Sequence, residues 1–365
     1  NAVIETASNT LISGCKNTKI PSGVKVIGKY AFYDHIGLMS ISIPNSVTDI
    51  EEGAFHGTGL ISVTIPNSIS QIKYRTFEPN TIEIIGARAF YGCKSLCSIN
   101  FPYKLSIIES LAFEGCESLV SIKLPNSITD LRDRAFGSCY NLETIDLGSG
   151  VQKLGGYLFM SCRNLKGLFI PKSVIEIEHS IIQGCPAIET LEVEEGNSIY
   201  NSQENCNAII ETATNTLIVG CKNSIIPIGV SAIKYNAFSG CTELSSITFP
   251  YTLTSIGGEA FSGCTGLKTI YTNIIYPFEI QKSVFSHATY ENAILYVLEE
   301  SKNWYETTSA WNSFSKIYSY DPSAIRVIKS DSLFSDNTIY SISGQLLQTP
   351  QKGLNIIKGK QILMK

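Results

Sequence analysis

Charged side chains are scarce in this chain of 365 residues. Asp, Glu, Lys and Arg make up 16% of it, whereas about 25% is usual for a globular protein. The net charge is −4, and the Lys and Arg residues are spread thinly along the sequence. The basic stripe of a nucleic-acid-binding protein is therefore missing from the sequence, and we expect no nucleic acid partner.

Long apolar runs and catalytic motifs are missing from the sequence as well. No apolar stretch approaches the roughly 18 residues that cross a bilayer, so we expect no membrane-spanning segment. The sequence contains no nucleophile elbow, no P-loop, no dinucleotide-binding glycine motif and no zinc-protease motif. The four His residues fall at unrelated positions of the sequence pattern. Because no acid–base pair is indicated, we predict a protein that is not an enzyme and that uses no cofactor and no metal.

What the sequence does contain is an internal repeat. Residues 43–57 recur as residues 124–137, and a strand-like L-x-x-I-x-L piece stands before such blocks, as in residues 119–124. Large apolar anchors follow at steps of mostly 23 residues: Phe32, Phe55, Phe90, Phe113, Phe136 and Phe159, then Ile182, Phe238 and Phe261. A period of about 20 to 29 residues with this core is typical of leucine-rich repeats. The sequence therefore predicts a mostly β leucine-rich-repeat solenoid with 23-residue coils.

Alternation along each strand predicts which side chains are exposed. Ile122 and Leu124 should point into the core, whereas Ser121 and Lys123 should point outward on a concave face. The ligand-binding residues that we predict on this face are Asn100, Lys123, Asp146, Phe169, Glu192 and Tyr271. The positions beside them are mostly Ser and Thr. Exposed aromatic rings mark interaction sites, and the alternative for Phe169 and Tyr271 is packing against a long neighbouring side chain.

The period breaks in two places. Only 13 residues separate Phe77 from Phe90, so one unit has lost its strand or carries extra chain. We predict extra chain that bulges out, because a missing strand would leave backbone groups of the concave sheet unpaired. The second break is an insertion at 194–226, in which residues 207–218 match residues 1–12. In both copies two short apolar runs flank a Thr/Asn turn, which predicts a β-hairpin.

Most of the 11 cysteines recur once per repeat. Steps of 23 residues separate Cys93, Cys116, Cys139, Cys162 and Cys185, and also Cys241 and Cys264. This spacing predicts a column of small buried thiols at one corner of the coils, and it lacks the clustered pairs of a zinc site. Cys206 and Cys221 flank the inserted hairpin, and an oxidising compartment would allow a disulfide between them.

The recurring unit I-P-x-S-V-x-x-I-x-x-x-A-F-x-x-C-x-x-L-x-S-I resembles the BspA-like family of bacterial leucine-rich repeat proteins. The resemblance covers about residues 1–317 and implies a secreted or surface-attached protein of Gram-negative gut or oral bacteria of the Bacteroides type. Some members of that family are adhesins, and the family has no catalytic residues to carry over. Because the chain begins at Asn1 inside a repeat unit, we expect that a signal peptide has been removed.

Both end regions of the chain also carry a resemblance. Residues from about 274 to 317, with Trp304, Tyr305, Trp311 and Phe314, resemble the closing cap of the family, and large aromatic rings suit the open apolar end of a solenoid. Residues 318–365 resemble a C-terminal export module, and their alternation predicts a small β-sandwich-like fold. We therefore expect a capped solenoid over 1–317 with the hairpin insertion at 194–226, followed by a small β module.

These features favour a non-enzymatic binding or adhesion protein, located outside the cell or on the outer-membrane surface. Its partner would be a host extracellular protein or a glycan bound through the solenoid face, and the protein would be a monomer. The alternative is a structural spacer that holds other domains away from the cell surface. A binder should show an aromatic or charged patch on the concave face, whereas a spacer should show mainly Ser and Thr there.

Overall fold

The computed structural model describes residues 1–68 and 83–321 and the backbone of four strands nearer the C-terminus. Successive coils place short parallel strands in two walls of a β-solenoid of about 12 turns, with coils of about 23 residues, which confirms the predicted fold class. The first wall, predicted as the concave sheet, contains Ser62–Thr64, Ser98–Asn100, Ser121–Lys123, Thr144–Asp146, Gly167–Ile170, Thr190–Val193, Ser246–Phe249, Thr269–Thr272, Ile294–Leu298 and Ile317–Tyr320.

The second wall consists mostly of two-residue strands and includes both hairpins. Its strands are Val3–Glu5, Thr10–Ser13, Val26–Ile27, Asp49–Ile50, Glu83–Ile85, Leu105–Ile108, Asp130–Leu131, Lys153–Leu154, Glu176–Ile177, Tyr200–Asn201, Ala208–Glu211, Thr216–Gly220, Ala232–Ile233 and Ser255–Ile256. These strands stay short because each coil must turn again toward the first wall. The apolar residue of each pair, such as Leu131 or Leu154, is buried between the walls.

The repeat places equal positions of successive coils beside each other. Ser121 is paired with Thr144 and Lys123 with Asp146, so partners are 23 residues apart. Ile122 is buried between them, whereas Ser121 and Lys123 are exposed, which confirms the predicted alternation. Every row of side chains along the solenoid is therefore one position of the repeat.

A continuous stack of aromatic rings runs through the core of the first segment. The rings lie nearly parallel, with centroids 5.2 to 6.1 Å apart, at Phe32, Phe55, Phe90, Phe113, Phe136 and Phe159. The cysteine column lies beside this stack and is buried as predicted. Cys116 Sγ donates a hydrogen bond to the Phe90 carbonyl at 3.2 Å, and Cys139 Sγ to the Phe113 carbonyl at 3.3 Å. A small buried donor at this corner thus satisfies a backbone acceptor of the preceding coil.

These buried thiols should react slowly in the folded chain. Burial raises the pKa of the Cys93 thiol to about 11 and that of the Cys241 thiol to about 12, and the thiolate is the reactive form. On treatment with iodoacetamide at mildly alkaline pH, we expect rapid alkylation of the exposed Cys97 and alkylation of the column only after unfolding. Peptide mass spectrometry gives the rates, and equal rates at Cys97 and Cys139 would contradict the buried column.

The short step before Phe90 leaves the first wall intact. Ser62 pairs directly with Ser98, so the partners are 36 residues apart instead of the 23 between Ser121 and Thr144. The Phe55 ring stacks directly on the Phe90 ring, with centroids 5.4 Å apart. No strand is missing from this part of the described wall, as the prediction of extra chain requires, and the bulge itself stays a prediction. Phe77 and the extra chain lie in residues 69–82, outside the described residues.

The insertion at 194–226 forms the predicted hairpin and begins a second solenoid segment. Ala208–Glu211 pairs antiparallel with Thr216–Gly220, which in turn pairs in parallel with Ala232–Ile233. The coils before and after the insertion are nevertheless stacked at their glycine corner, where the Gly184 N–H donates to the Ser239 carbonyl. A Cβ on Gly240, whose φ is +75°, would lie 2.8 Å from Gly184 N, so glycine is needed where the two segments meet.

Aromatic side chains close the last coil, as the resemblance to a cap implied. The fully buried Trp311 donates from Nε1 to the Phe278 carbonyl at 2.8 Å, and the Tyr305 hydroxyl donates to the Ile274 carbonyl at 3.1 Å. Trp304 differs from the prediction, because half of its surface is exposed while Tyr305 takes the buried side of the same helix. The helices of this region are His287–Asn292 and Lys302–Thr307, with short 3₁₀ turns at Lys282–Val284, Glu299–Ser301 and Trp311–Ser313 and, in the inserted hairpin region, at Gln203–Asn205.

The first wall extends past residue 317, where the sequence placed the domain boundary. Ile317–Tyr320 pairs in parallel with Ile294–Leu298 and is the last strand of this wall. Nearer the C-terminus, four strands form an antiparallel sheet in the order Leu346–Leu347, Ile339–Ser341, Gly353–Ile357 and Lys360–Met364. The predicted sandwich and the division into domains stay predictions. Among the described helices, none is long and apolar enough to span a bilayer.

Candidate binding face

Five of the predicted binding residues form one exposed row on the outer side of the first wall. Alternation in the strands turns these side chains away from the core: Asn100, Lys123, Asp146, Phe169 and Glu192. Tyr271 holds the equivalent position in the second segment, where it is only partly exposed. Tyr271 lies in the four-stranded sheet of the second segment, which the hairpin insertion separates from the first segment. A binding role for the six residues stays a prediction.

The charges in this row are loosely held. Lys123 Nζ lies 3.6 Å from Asp146 Oδ2, and both side chains are mostly exposed. Asp146 Oδ1 also accepts a hydrogen bond from the Gly148 N–H at 3.0 Å, which fixes the carboxylate relative to the turn that follows the strand. Exposed ion pairs contribute about 0 to 1 kcal/mol, so a ligand could replace either partner at little cost.

Phe169 is the exposed aromatic ring of the row. Half of its surface is exposed, and it borders a shallow recess of about 220 Å³ that Thr144, Lys166 and Thr190 also line. Gly167, two residues earlier on the same face, contributes no side chain beside the ring. A Cβ at Gly167 would lie 2.3 Å from Thr190 Oγ1, so the glycine also makes room for that hydroxyl. This exposure favours an interaction site over the alternative of complete packing against a neighbour.

A cluster of tyrosines continues the wall beyond Tyr271 and was not predicted from the sequence. We call Tyr271, Tyr296, Tyr318 and Tyr320 the tyrosine cluster. The Tyr271 and Tyr296 rings stack with centroids 4.9 Å apart, and Tyr318 lies 6.3 Å from Tyr296. The signal was an aliphatic residue followed by Tyr at the same strand position in three successive strands. The sequence divides these residues among predicted regions, since Tyr296 falls in the predicted cap of about 274–317 and Tyr318 and Tyr320 fall in the predicted C-terminal module.

Tyr320 packs edge-on against other rings of the tyrosine cluster. Its ring meets that of Tyr271 edge-on at 5.4 Å, and its hydroxyl donates to Asn273 Oδ1 at 2.5 Å. Burial, and then the nearby Tyr271, raise the pKa of Tyr320 to about 12. The hydrogen bond from the Tyr320 hydroxyl to Asn273 fixes the position of the ring.

A row of alternating charges borders the strands of the first wall and crosses the junction of the two segments. Along the row lie Glu143, Lys166, Glu189, Lys222 and Glu243. Lys222 Nζ is 3.2 Å from Glu189 Oε1 and 2.9 Å from Glu243 Oε2. Lys222 follows the inserted hairpin, so it places a cation between carboxylates of both segments. The hydrogen bond to Glu243 raises the pKa of Lys222.

Cys206 and Cys221 are both buried, and neither belongs to a disulfide in the structure. Cys206 Sγ donates to the Ala208 carbonyl at 3.5 Å, and Cys221 Sγ to the Asn207 carbonyl at 3.4 Å. The disulfide between them stays a prediction, which the intact mass before and after reduction would test. Within the part of the chain that the structure describes, no three His, Cys, Asp or Glu side chains converge as a metal site.

Comparison with known proteins identifies the repeat. A family model for the BspA type leucine rich repeat region matches residues 10–85, 83–209 and 218–342, with six copies. No curated protein sequence matches the chain significantly. A leucine rich cell surface protein from Faecalibacterium prausnitzii has a similar structure, with a TM-score of 0.61, 23% identity, and coverage of 88% of this chain and 93% of that one. A leucine-rich repeat protein from Bacteroides ovatus gives a TM-score of 0.56 and 23% identity over 83% of this chain and 77% of that one.

Proposed function

The chain belongs to the family of BspA-type leucine-rich repeat proteins, and on this premise we propose that it is a non-enzymatic binding and adhesion protein of a bacterial surface. It recognises a host extracellular protein or glycan through the outer side of the first wall, and it acts as a monomer outside the cell or on the outer-membrane surface. The name of the Faecalibacterium protein, a cell surface protein, supports this location.

The tyrosine cluster is the observation that carries the proposal. Tyr318 is 51% exposed, and with its partners it forms an aromatic patch on a wall that otherwise carries many Ser and Thr residues. Aromatic side chains are enriched in binding hot spots, and exposed apolar patches mark interaction sites. Phe169 adds a second aromatic position on the same side of the solenoid. A spacer does not require exposed rings such as Tyr318 and Phe169.

Ring geometry favours a protein partner over a glycan at the tyrosine cluster. Tyr271 and Tyr296 stack at an interplanar angle of 10°, so each covers one face of the other. Ring edges and hydroxyl groups are left for contact, and tyrosines in paratopes offer the same combination of apolar area and a polar tip to protein surfaces. Rows of hydroxyl side chains, such as Ser62, Ser98 and Ser121, favour the spacer as the second candidate.

The test compares a Phe169→Ala, Tyr318→Ala double variant with the original chain. Binding is measured by surface plasmon resonance against a panel of extracellular matrix proteins and glycans. We expect the double variant to bind the best ligand at least about tenfold more weakly, because each ring lost from a hot spot costs more than about 1 kcal/mol. Its Tm should change by no more than about 2 °C, since both side chains are half exposed.

Tyr103→Ala is the matched control, because Tyr103 is 63% exposed and follows a strand of the first wall instead of lying in it. It should leave the affinity unchanged. Unchanged affinity of the double variant for a ligand of the original chain would defeat the assignment to this face. Failure of the original chain to bind any member of the panel would favour the spacer.

A further inference from the structure

The two hairpins of the chain share both sequence and geometry. Residues 1–12 match residues 207–218, and both strand pairs shift register at the same step. Gly14 and Gly220 each lie against a phenylalanine ring, and a Cβ there would be 2.0 and 2.1 Å from a ring carbon. The hairpins are therefore two copies of one structural element, each at the start of a solenoid segment.

The copies differ in the exposure of one face, which we call the outer face. In the internal hairpin, Ile209 is 0% and Ile218 is 6% exposed. Their counterparts in the N-terminal hairpin, Val3 and Ile12, are 60% and 48% exposed. An apolar face that is fully covered in one copy is thus open to solvent in the other.

The last coil of the first segment covers the outer face of the internal hairpin. Ile209 and Ile218 belong to the hydrophobic core of the first segment, whereas Ile210 and Leu217, on the opposite face, belong to the core of the second. Where Ile181 and its neighbours meet Ile218, the remaining cavity measures only about 10 Å³. Little space is therefore left between the coil and the hairpin, about enough for one water molecule.

The same coil also supplies a strand to the edge of the internal hairpin. Tyr200–Asn201 pairs antiparallel with Ala208–Glu211, and the Tyr200 hydroxyl accepts a hydrogen bond from Ile177 N–H at 3.0 Å. The corresponding strand of the first hairpin, Val3–Glu5, is the edge strand of its sheet. An edge strand presents backbone groups that another strand can pair with.

We propose that the outer face of the N-terminal hairpin is an interface for the end coil of another leucine-rich solenoid segment. The segments would be arranged head to tail, as the two segments of this chain are. The coil would bring aliphatic residues equivalent to Ile181 and Ile182 onto Val3 and Ile12, together with a strand for the edge of Val3–Glu5. The proposal does not depend on the function proposed for the first wall.

A second copy of the chain does not offer such a coil. The buried rings of Tyr305 and Trp311 close its last coil, and its first coil begins with the same hairpin. The outer face of the N-terminal hairpin is apolar at Val3 and Ile12. It is polar at Ser13, whose counterpart in the internal hairpin is Val219. Position 13 is consequently a good site for a probe, because its counterpart is buried.

The experiment uses a lengthened chain in which a copy of residues 1–206 precedes Asn1 of the full chain. The downstream hairpin then has the upstream neighbour that the internal hairpin has. Ser13→Cys is placed in the downstream hairpin, and its alkylation by iodoacetamide is followed by mass spectrometry of the labelled peptide. We expect alkylation to be at least about tenfold slower than for Ser13→Cys in the 365-residue chain, because reaction would require local opening of the interface.

Two matched controls accompany this measurement. Ser13→Cys in the upstream hairpin of the lengthened chain should react as fast as in the original chain, because nothing precedes that hairpin there. Val3→Asp in the downstream hairpin should restore fast alkylation of its Cys, since a carboxylate would be buried against the coil.

Equal rates at the two hairpins of the lengthened chain would overturn the proposal. Equal rates caused by an added segment that fails to fold would also overturn it. The proposed interface should order the last coil of that segment. Slow, concentration-dependent alkylation of Ser13→Cys in the original chain would equally overturn it, since a second copy would then cover the face.

Discussion

Replacement of Phe113 by Ala should lower the free energy of unfolding by about 3 to 5 kcal/mol, the usual cost of removing a buried phenyl ring. Phe113 is fully buried, and its ring lies 5.2 Å from that of Phe90 and 5.5 Å from that of Phe136. The substitution removes contacts with the coils on both sides. Because the stability of a solenoid is roughly a sum of coil and interface contributions, two interfaces weaken together.

Phe169→Ala is the control for this prediction, since it is the same substitution at a half-exposed ring of the same solenoid. Chemical denaturation followed by circular dichroism should show a loss of no more than about 0.5 kcal/mol for Phe169→Ala. Equal losses for the two variants would mean that the ring stack adds no stability beyond that of an exposed ring, which contradicts the described core.

Replacement of Ile218 by Ala should cost about 2 to 5 kcal/mol, whereas the same change at Ile12 should cost less than about 1 kcal/mol. The two residues hold the same position in the two hairpins, and 6% of Ile218 is exposed against 48% of Ile12. The difference arises because Ile218 is packed against the last coil of the first segment. The internal hairpin lies between the two cores, so the loss should weaken the junction of the segments.

Thermal unfolding of both variants, followed by circular dichroism, measures this difference. For Ile218→Ala we expect a lower Tm, and for Ile12→Ala a Tm close to that of the original chain. A similar fall in Tm for both variants would show that the two hairpins have the same surroundings in solution. That result would contradict the covered outer face of the internal hairpin.

Features that recur with the period could be predicted from the sequence. The inward position of Ile122, the buried thiol of Cys139 and the stacking of Phe113 on Phe136 all follow from one rule, namely that residues one repeat apart lie beside each other. The hairpin at the insertion could be predicted because two short apolar runs flank a Thr/Asn turn there, as they do in the matching residues 1–12. Because the unit recurs, several copies of the repeat support each of these inferences.

Features that depend on how non-repeating segments are placed could not be predicted. Lys222 lies between Glu189 and Glu243 only because the hairpin returns the chain to the edge of the first wall. The burial of the internal hairpin on both faces depends on the corner of the coil continuing from Gly184 to Ser239. Neither the position of Lys222 nor the burial of the hairpin on both faces has a periodic signal in the sequence.

The tyrosine cluster lies between these two cases. Its members occupy a regular strand position, yet Tyr296 and Tyr318 are separated from Tyr271 by irregular cap residues. Pairing of the strands, and not the spacing of the residues, places the rings beside each other. Trp304 was predicted to cover the core but is half exposed, since composition alone could not tell which face of its helix is buried.

The central claim is that the coils stack in register, so that each position of the repeat forms a continuous row. A crystal structure of the chain tests it most directly. We expect the rings from Phe32 to Phe159 at centroid separations of 5.2 to 6.1 Å, and Ser62–Thr64 directly beside Ser98–Asn100. Rings dispersed through a compact globule, or another strand inserted between those two, would contradict the account.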